Sequence, residues 1–340
     1  MEQLTCVIPK LLIDLKDVPK SVYQGRVDCK NVEILLSRSR RNNMEVQGSV
    51  GLFAKLLNLN SAQLAVAPIS RLGDGGTADD QWWARLDPVY LQTDRDSVVM
   101  MGNACLDISL DEAHALALEL SHHFSDLGWH IEVLHPKRWY LRLPEPPNVI
   151  THEPHEVQGK HVFAYLPSGE KGRQWHGLLN EMQMLLHASP VNQVRQSQGK
   201  LPINGLWLWG EGKLTSLKGF EGCLYGGGAF ERGIAKLANI PMLSGIADYE
   251  ALMERGGEGR HAIVYLDDLE QAFSAQNLDQ WIDVLNKLEH SWFSPIRRAL
   301  KANQLKKVTL YAGGKDLFES TAKDQRRFWK RRQSLLDYVD

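Results

Sequence analysis

The spacing of apolar runs in the second half of the chain limits its fold more than any other feature. GLWLWG (205–210), HAIVYL (261–266) and VTLY (308–311) are short and mostly apolar, with β-branched and aromatic residues. Such runs predict strands buried on both faces. Between them lie stretches of helical period, at 229–239 and, longer, at 278–302. Parallel strands need crossover connections, and helical crossovers build a sheet with helices on both faces. The expected fold class is α/β.

The first half reads differently. LTCVIPKLLI (4–13) predicts a strand interrupted at Pro9, and VEILLSRSRR and SVGLFAKLLNLN predict helices. RLGDGGTADD (71–80) predicts a loop, and QWWARLDPVYLQT returns to strand character. From about residue 96 the pattern changes again. SVVMM predicts a strand, and Ser109 with Glu112 forms a capping box ahead of a helix that Gly128 stops. WHIEVL and RWYLRL follow, and in the second Trp139, Leu141 and Leu143 alternate with Arg138, Tyr140 and Arg142. A further helix is expected over 173–188. This strand–helix–strand–strand series predicts a small α+β layer of its own.

A formal net charge of -2 favours neither a polyanion binder nor an acidic solvating protein. Four scattered cysteines without a C-x-x-C pair suit a reducing compartment. The N-terminal apolar stretch is broken by Pro9, Lys10 and Asp14, so neither a signal peptide nor a membrane span is expected, and the chain reads as cytoplasmic. Gly226, Gly227 and Gly228 predict a tight turn between a strand and a helix. One segment stands apart. KDQRRFWKRR (323–332) holds six basic residues and one Asp. It can bind nucleic acid by phosphate pairing and stacking on Phe328 and Trp329. Alternatively, it is a helix whose aromatics pack on the body while its charges face water.

Residues 178–214 carry a more specific pattern: Pro190, Val191, Asn192, Arg195, Gly199, Pro202, Asn204, Gly210 and Gly212. This resembles the segment of archaeal-type cofactor-independent phosphoglycerate mutases in which a helix ends in His-Pro-Val-Asn-x-x-Arg, with Ser189 here in place of the His. THEPHEV (151–157), CLYGGGAFERGIAKLANI (223–240) and SGIADYEALMER (244–255) are similar to further stretches of that family. The resemblance is strongest over roughly 140–255 and looks closer still to bacterial RpfE-type regulatory proteins. It implies an alkaline-phosphatase-like α/β core with helices on both faces, formed by 1–95 and 196–340, and an inserted smaller α+β domain at 96–195.

The resemblance also implies a chemistry: two bridged manganese or zinc ions, held by Asp and His, beside a serine that becomes phosphorylated. This chain departs from that pattern. Asp267 and Asp268 follow the middle strand without a histidine, and Tyr311 and Ala312 stand where Asp-His is usual. No histidine follows His290. Asp14 is the one candidate metal ligand, with Leu15 replacing the family glycine. Ser49 aligns with the nucleophile, but Val50 replaces the Asp that usually follows it.

The implied function is therefore that of a catalytically degenerate protein without a cofactor, binding a phosphorylated small molecule or a partner protein in a regulatory role. Manganese or zinc would return only if rearranged ligands sustain a mutase or phosphatase. Arg85, Asn192, Arg195, Asn204 and Arg232 are the candidate ligand-binding side chains, arginine because its planar fork matches phosphate. The alternative is that the asparagines cap turns and the arginines are surface charges.

Overall fold

The computed structural model describes residues 1–13, 25–44, 46–94, 97–255, 260–274 and 277–338. The chain divides into two compact units, Met1–Ser61 with Ser216–Asp340, and Ala62–Thr215. Among the described residues no helix is long and apolar enough to cross a membrane.

The first unit is built on a seven-stranded sheet of order β2-β12-β11-β1-β10-β8-β9, with strands numbered along the chain. β1 (Gln3–Val7), β8 (Gly222–Tyr225), β9 (Met242–Leu243), β10 (His261–Tyr265) and β11 (Lys307–Tyr311) pair in parallel. β12 (Asp316–Thr321) and β2 (Arg40–Asn43) extend the sheet antiparallel. The α/β class is as expected. The two antiparallel strands went unread because RRNN and DLFEST lack the apolar run that marks a buried strand. Cys6, Val264 and Leu310 lie in one row across β1, β10 and β11, on the face that shares a core with Leu35, Leu285 and Ile296 of the covering helices. Thr5, Ile263 and Thr309 take the opposite face, as the period of two requires.

The stretch 278–302, expected as one helix, is an α-helix over Leu278–Leu288, a π-turn over Glu289–Phe293, and a second α-helix over Ser294–Lys301. The interruption has a cause. Glu289 is 1% exposed and accepts hydrogen bonds from the backbone N–H groups of Asn31 (2.5 Å) and Val32 (3.1 Å). These open the Lys30–Arg38 helix, whose own N-cap residue, Cys29, supplies no side-chain bond. A widened turn lets the carboxylate face inward and cap a neighbour.

The second unit is a mainly antiparallel sheet of order β4-β3-β6-β5, with β7 also paired to β3. These strands are β3 (Trp82–Asp94), β4 (Ser97–Gly102), β5 (His130–His135), β6 (Arg138–Leu143) and β7 (Gly205–Gly212). GLWLWG, expected among the parallel strands, is therefore β7 of this sheet. The unit is also wider than the expected 96–195, because β3 pairs with β4, β6 and β7 and draws both flanks into one sheet. On one face Leu116, Leu120, Trp175 and Leu186, from the Leu110–His123 and Gly172–Ala188 helices, pack on Ala84, Leu86 and Trp139. The capping box forms as read: Ser109 Oγ accepts from the Glu112 N–H (3.2 Å), and Glu112 accepts from the Ser109 N–H (2.7 Å). A helix over Val66–Gly73 packs on β3, β6 and β7, so the predicted 71–80 loop starts three residues late. Arg71 holds that helix end, its guanidinium 3.9 Å from the Trp83 ring centroid and paired with Glu132.

Candidate functional site

In open α/β sheets ligands bind outside the carboxyl ends of the parallel strands. At that edge of the first unit Val7 of β1 is in register with Tyr265 of β10 and Tyr311 of β11. Parallel residues in register share a face, so the two tyrosines flank Val7 with backbones about 10 Å apart, two strand spacings. Both are buried. The helix Gly48–Leu57 begins against them. The Gly48 N–H donates to Tyr311 Oη (2.7 Å), and Ser49 Oγ lies 3.3 Å from Tyr265 Oη. Two hydrogen bonds from one helix turn thus tie it to two strand ends.

Tyr265 also hydrogen-bonds Glu231, which is buried and whose carboxylate accepts from the Gly228 N–H (2.7 Å). The glycine run seats this carboxylate. Gly226 and Gly227 have φ of +72° and +86°, and a Cβ on Gly227 would come within 2.7 Å of Glu231 Cβ. L side chains avoid such φ values, so the run is the tight turn that was read. Burial, and then the negative charge of Glu231, hold the Tyr265 phenol well above its ordinary pKa. Ser49 therefore has a protonated phenol for a neighbour, and a phenol in that state cannot activate it.

The donors gathered here are two phenols, a serine hydroxyl and one carboxylate already engaged. Such a set does not fit a manganese or zinc pair, which takes carboxylates and imidazoles. Among the described residues no three His, Cys, Asp or Glu side chains are placed to share a metal ion. Asp267 and Asp268 follow β10 as exposed residues. Asp14 lies outside the described residues. Past the end of β10 is a cavity of about 100 Å³, lined by Tyr225, Tyr265, Asp267, Asp268, Lys287 and Ser291 among others.

The five residues read as ligand-binding are not gathered into this site. Arg85, Asn192, Arg195 and Asn204 belong to the second unit and Arg232 to the first. The first four are engaged in internal contacts. Arg195 is 1% exposed and donates to Leu201 O (3.0 and 2.8 Å), Asp107 O (2.7 Å) and Glu112 Oε1 (2.9 Å). Asn192 donates to Leu186 O and Ile203 O and accepts from the Ile203 N–H. Asn204 pairs with both backbone groups of Leu91. Arg85 forks onto Asp87 (2.9 and 2.8 Å), beside the rings of Tyr140 and Trp209. Arg232 sits next to Glu231 and reaches Gly227 O at 3.4 Å. Sequence reading passed over Tyr265 and Glu231. The available signal was that two core strands, HAIVY and KVTLY, both end in tyrosine.

No family model matches the chain. The 2,3-bisphosphoglycerate-independent phosphoglycerate mutase of Methanosarcina acetivorans is 34% identical over 99 residues, 29% of this chain and 23% of that protein. That of Methanosarcina barkeri is 30% identical over 99 residues, with the same coverage. A probable enzyme of this name from Geobacter sulfurreducens is 35% identical over 68 residues, 20% of this chain and 17% of the relative. These matches span less than a quarter of the relatives' own length. Among solved structures, the PH0037 protein from Pyrococcus horikoshii has a TM-score of 0.56 at 12% identity, covering 94% of this chain and 87% of that one, and shares the fold. The cofactor-independent phosphoglycerate mutase from Thermoplasma acidophilum has a TM-score of 0.47 at 18% identity, covering 94% and 90%. Over the matched segment the chain is similar to 2,3-bisphosphoglycerate-independent phosphoglycerate mutases of archaea.

Proposed function

We propose that this chain is a non-catalytic descendant of phosphoglycerate-mutase-type enzymes that binds a phosphorylated small molecule or a partner protein in a regulatory role. The observation that carries this reading is the hydroxyl cluster of Ser49, Tyr265 and Tyr311 at the strand ends. Phosphoryl transfer of the mutase type needs an activated nucleophile and a cation pair to clamp the attacking and leaving oxygens. The serine's neighbour is instead a protonated phenol, and the one buried carboxylate is held by a backbone N–H. Sequence similarity over the matched segment supports descent from mutases. Ser49 is partly exposed in the first turn of a helix whose N-cap, Gln47, makes no side-chain bond, and such turns receive phosphoryl groups.

The test combines elemental analysis for manganese and zinc, a mutase assay, and calorimetric titration with 3-phosphoglycerate. The expected result is metal far below one equivalent, no turnover, and heat that disappears in Ser49→Asp. Absence of heat from the unaltered protein removes the small-molecule version and leaves the partner protein. Stoichiometric metal, with turnover abolished in Ser49→Ala, would establish an active mutase or phosphatase with rearranged ligands, for which Asp267 and Asp268 supply spare carboxylates.

A further inference from the structure

The basic segment near the C-terminus is not the helix that would bury its aromatics. Only Ala322–Gln325 is helical, closed by a capping box between Thr321 and Asp324. The chain then makes two tight turns, with Phe328 N–H donating to Arg326 O (2.8 Å) and Lys330 N–H to Arg327 O (3.1 Å). Phe328 is 81% and Trp329 67% exposed, and their rings meet edge to face at 5.3 Å. Of the ten tryptophans Trp329 alone is exposed.

Both sides of this tip are pinned. Before it, Arg38 donates to Gln325 O (2.5 Å) and Arg327 pairs with Asp324 (2.9 Å). After it, Arg332 pairs with Glu33 (3.2 Å), the Gln333 N–H donates to Ser37 Oγ (3.0 Å), and Leu335 is buried. The two rings are held outward by a braced loop.

The surrounding charge is unbalanced. Lys323, Arg326, Lys330 and Arg331 are exposed and have no ion-pair partner among the described residues. Behind them, the Lys30–Arg38 and Ser294–Lys301 helices pack on the Ala322–Gln325 helix. Repulsion from Arg297, then burial and Arg38, lowers the pKa of Lys301, and burial, then Arg38, lowers that of Arg297. Arg297 Nε is buried without a hydrogen-bond partner among the described residues.

From this geometry we infer that the Phe328–Trp329 tip and its unpaired cations form a binding surface for single-stranded nucleic acid. Exposed rings stack with bases of any identity, and flanking cations pair with the phosphates on either side. An anionic membrane is disfavoured as occupant. Residues 326–334 hold no aliphatic side chain, and interfacial binding scales with buried apolar area. The surface is separate from the hydroxyl cluster. Thr321, from which it departs, pairs with Lys307 at the amino end of β11, the opposite edge of the sheet from Tyr311.

The experiment is fluorescence anisotropy of the full chain with labelled 20-mers of dT and U, with a 20-base-pair duplex, and with Phe328→Ala/Trp329→Ala. Binding to the single strands should exceed binding to the duplex and fall roughly ten-fold or more in the double variant, the loss expected for removed base stacking. The logarithmic salt slope should be about −3, for four phosphates neutralised on a single strand. Both rings are exposed, so thermal melts should match between the two proteins. Absence of binding at low salt, equal affinity for the duplex, or an unchanged constant in the double variant overturns the inference. Sedimentation with phosphatidylglycerol vesicles at oligonucleotide concentrations that give no binding assigns the surface to membranes instead.

Discussion

At the strand ends of the first unit the polar groups are hydroxyls, Tyr265 and Tyr311 with Ser49 beside them, around a single buried carboxylate, Glu231, that a backbone N–H holds. On the face of the second unit's sheet opposite Ala84, Leu86 and Trp139 they are full charges. Arg85 is bound to Asp87, and Arg138 to Asp74 through two 2.7 Å bonds that Tyr140 Oη supplements at 2.6 Å. Burial raises the Asp87 carboxyl, with Arg85 and Trp209 pulling the other way. The difference lies in what each arrangement demands. A buried charge needs its counter-ion at all times, whereas a hydroxyl tolerates a weak partner or an exchange. Carboxylates crowded at a strand end would repel one another unless a cation sat among them. Phenols at the same edge remove that requirement, so this edge of the sheet can close without metal.

Four measurements break or sharpen the contrast. The largest effect belongs to Asp87→Ala, which leaves buried Arg85 without its counter-ion and should cost about 3–5 kcal/mol in denaturant unfolding. A paired replacement, Arg85→Met with Asp87→Leu, should recover most of that, and failure to recover would mean the pair contributes more than mutual neutralisation. Arg195→Ala strips partners from Leu201 O, Asp107 O and Glu112, for a loss of roughly 2–4 kcal/mol. Unchanged stability in that variant would favour a ligand-binding role for Arg195.

In the first unit the larger effect is one of pH. Burial, and then Lys307, depress His261 from 6.5 to about 4. The unfolded chain therefore takes up that proton first, so stability is intact above about pH 6.5 and declines toward pH 4, by roughly 2–3 kcal/mol. His261→Gln should flatten this part of the stability profile, and an unaltered slope would remove His261 as its source. The smallest effect is expected at the hydroxyl cluster, where Tyr265→Phe should lose about 1–2 kcal/mol, because Ser49 is partly exposed and Glu231 keeps its backbone partner. A loss several times larger would mean that the cluster is as obligatory as the ion pairs, and the contrast would fail.

Much of the second unit was legible residue by residue. Ser109, Glu112 and Gly128 bounded their helix, and alternation in RWYLRL gave β6 its faces, because capping and pleating act over three or four neighbours. The candidate site was legible only in part. Tyr311 was visible as a non-ligand, while its bond to Gly48 and the approach of Ser49 to Tyr265 join positions more than 200 residues apart. Arg195 and Asn192 carried the family pattern, but nothing local marks an arginine as enclosed.

The sequence by itself determined the α/β class, the resemblance of its middle segment to the mutases, and the presence of Tyr311 and Ala312 at the end of the last parallel strand, since each is written in periodicity or residue identity. Only the tertiary structure decided that β7 joins the antiparallel sheet, that Glu289 breaks a long helix to cap another, and that Phe328 and Trp329 stay in solvent. The physical reason is common to all three. Burial and pairing depend on which distant surface arrives opposite a residue, and a strongly apolar or charged side chain announces its needs without specifying how they are met.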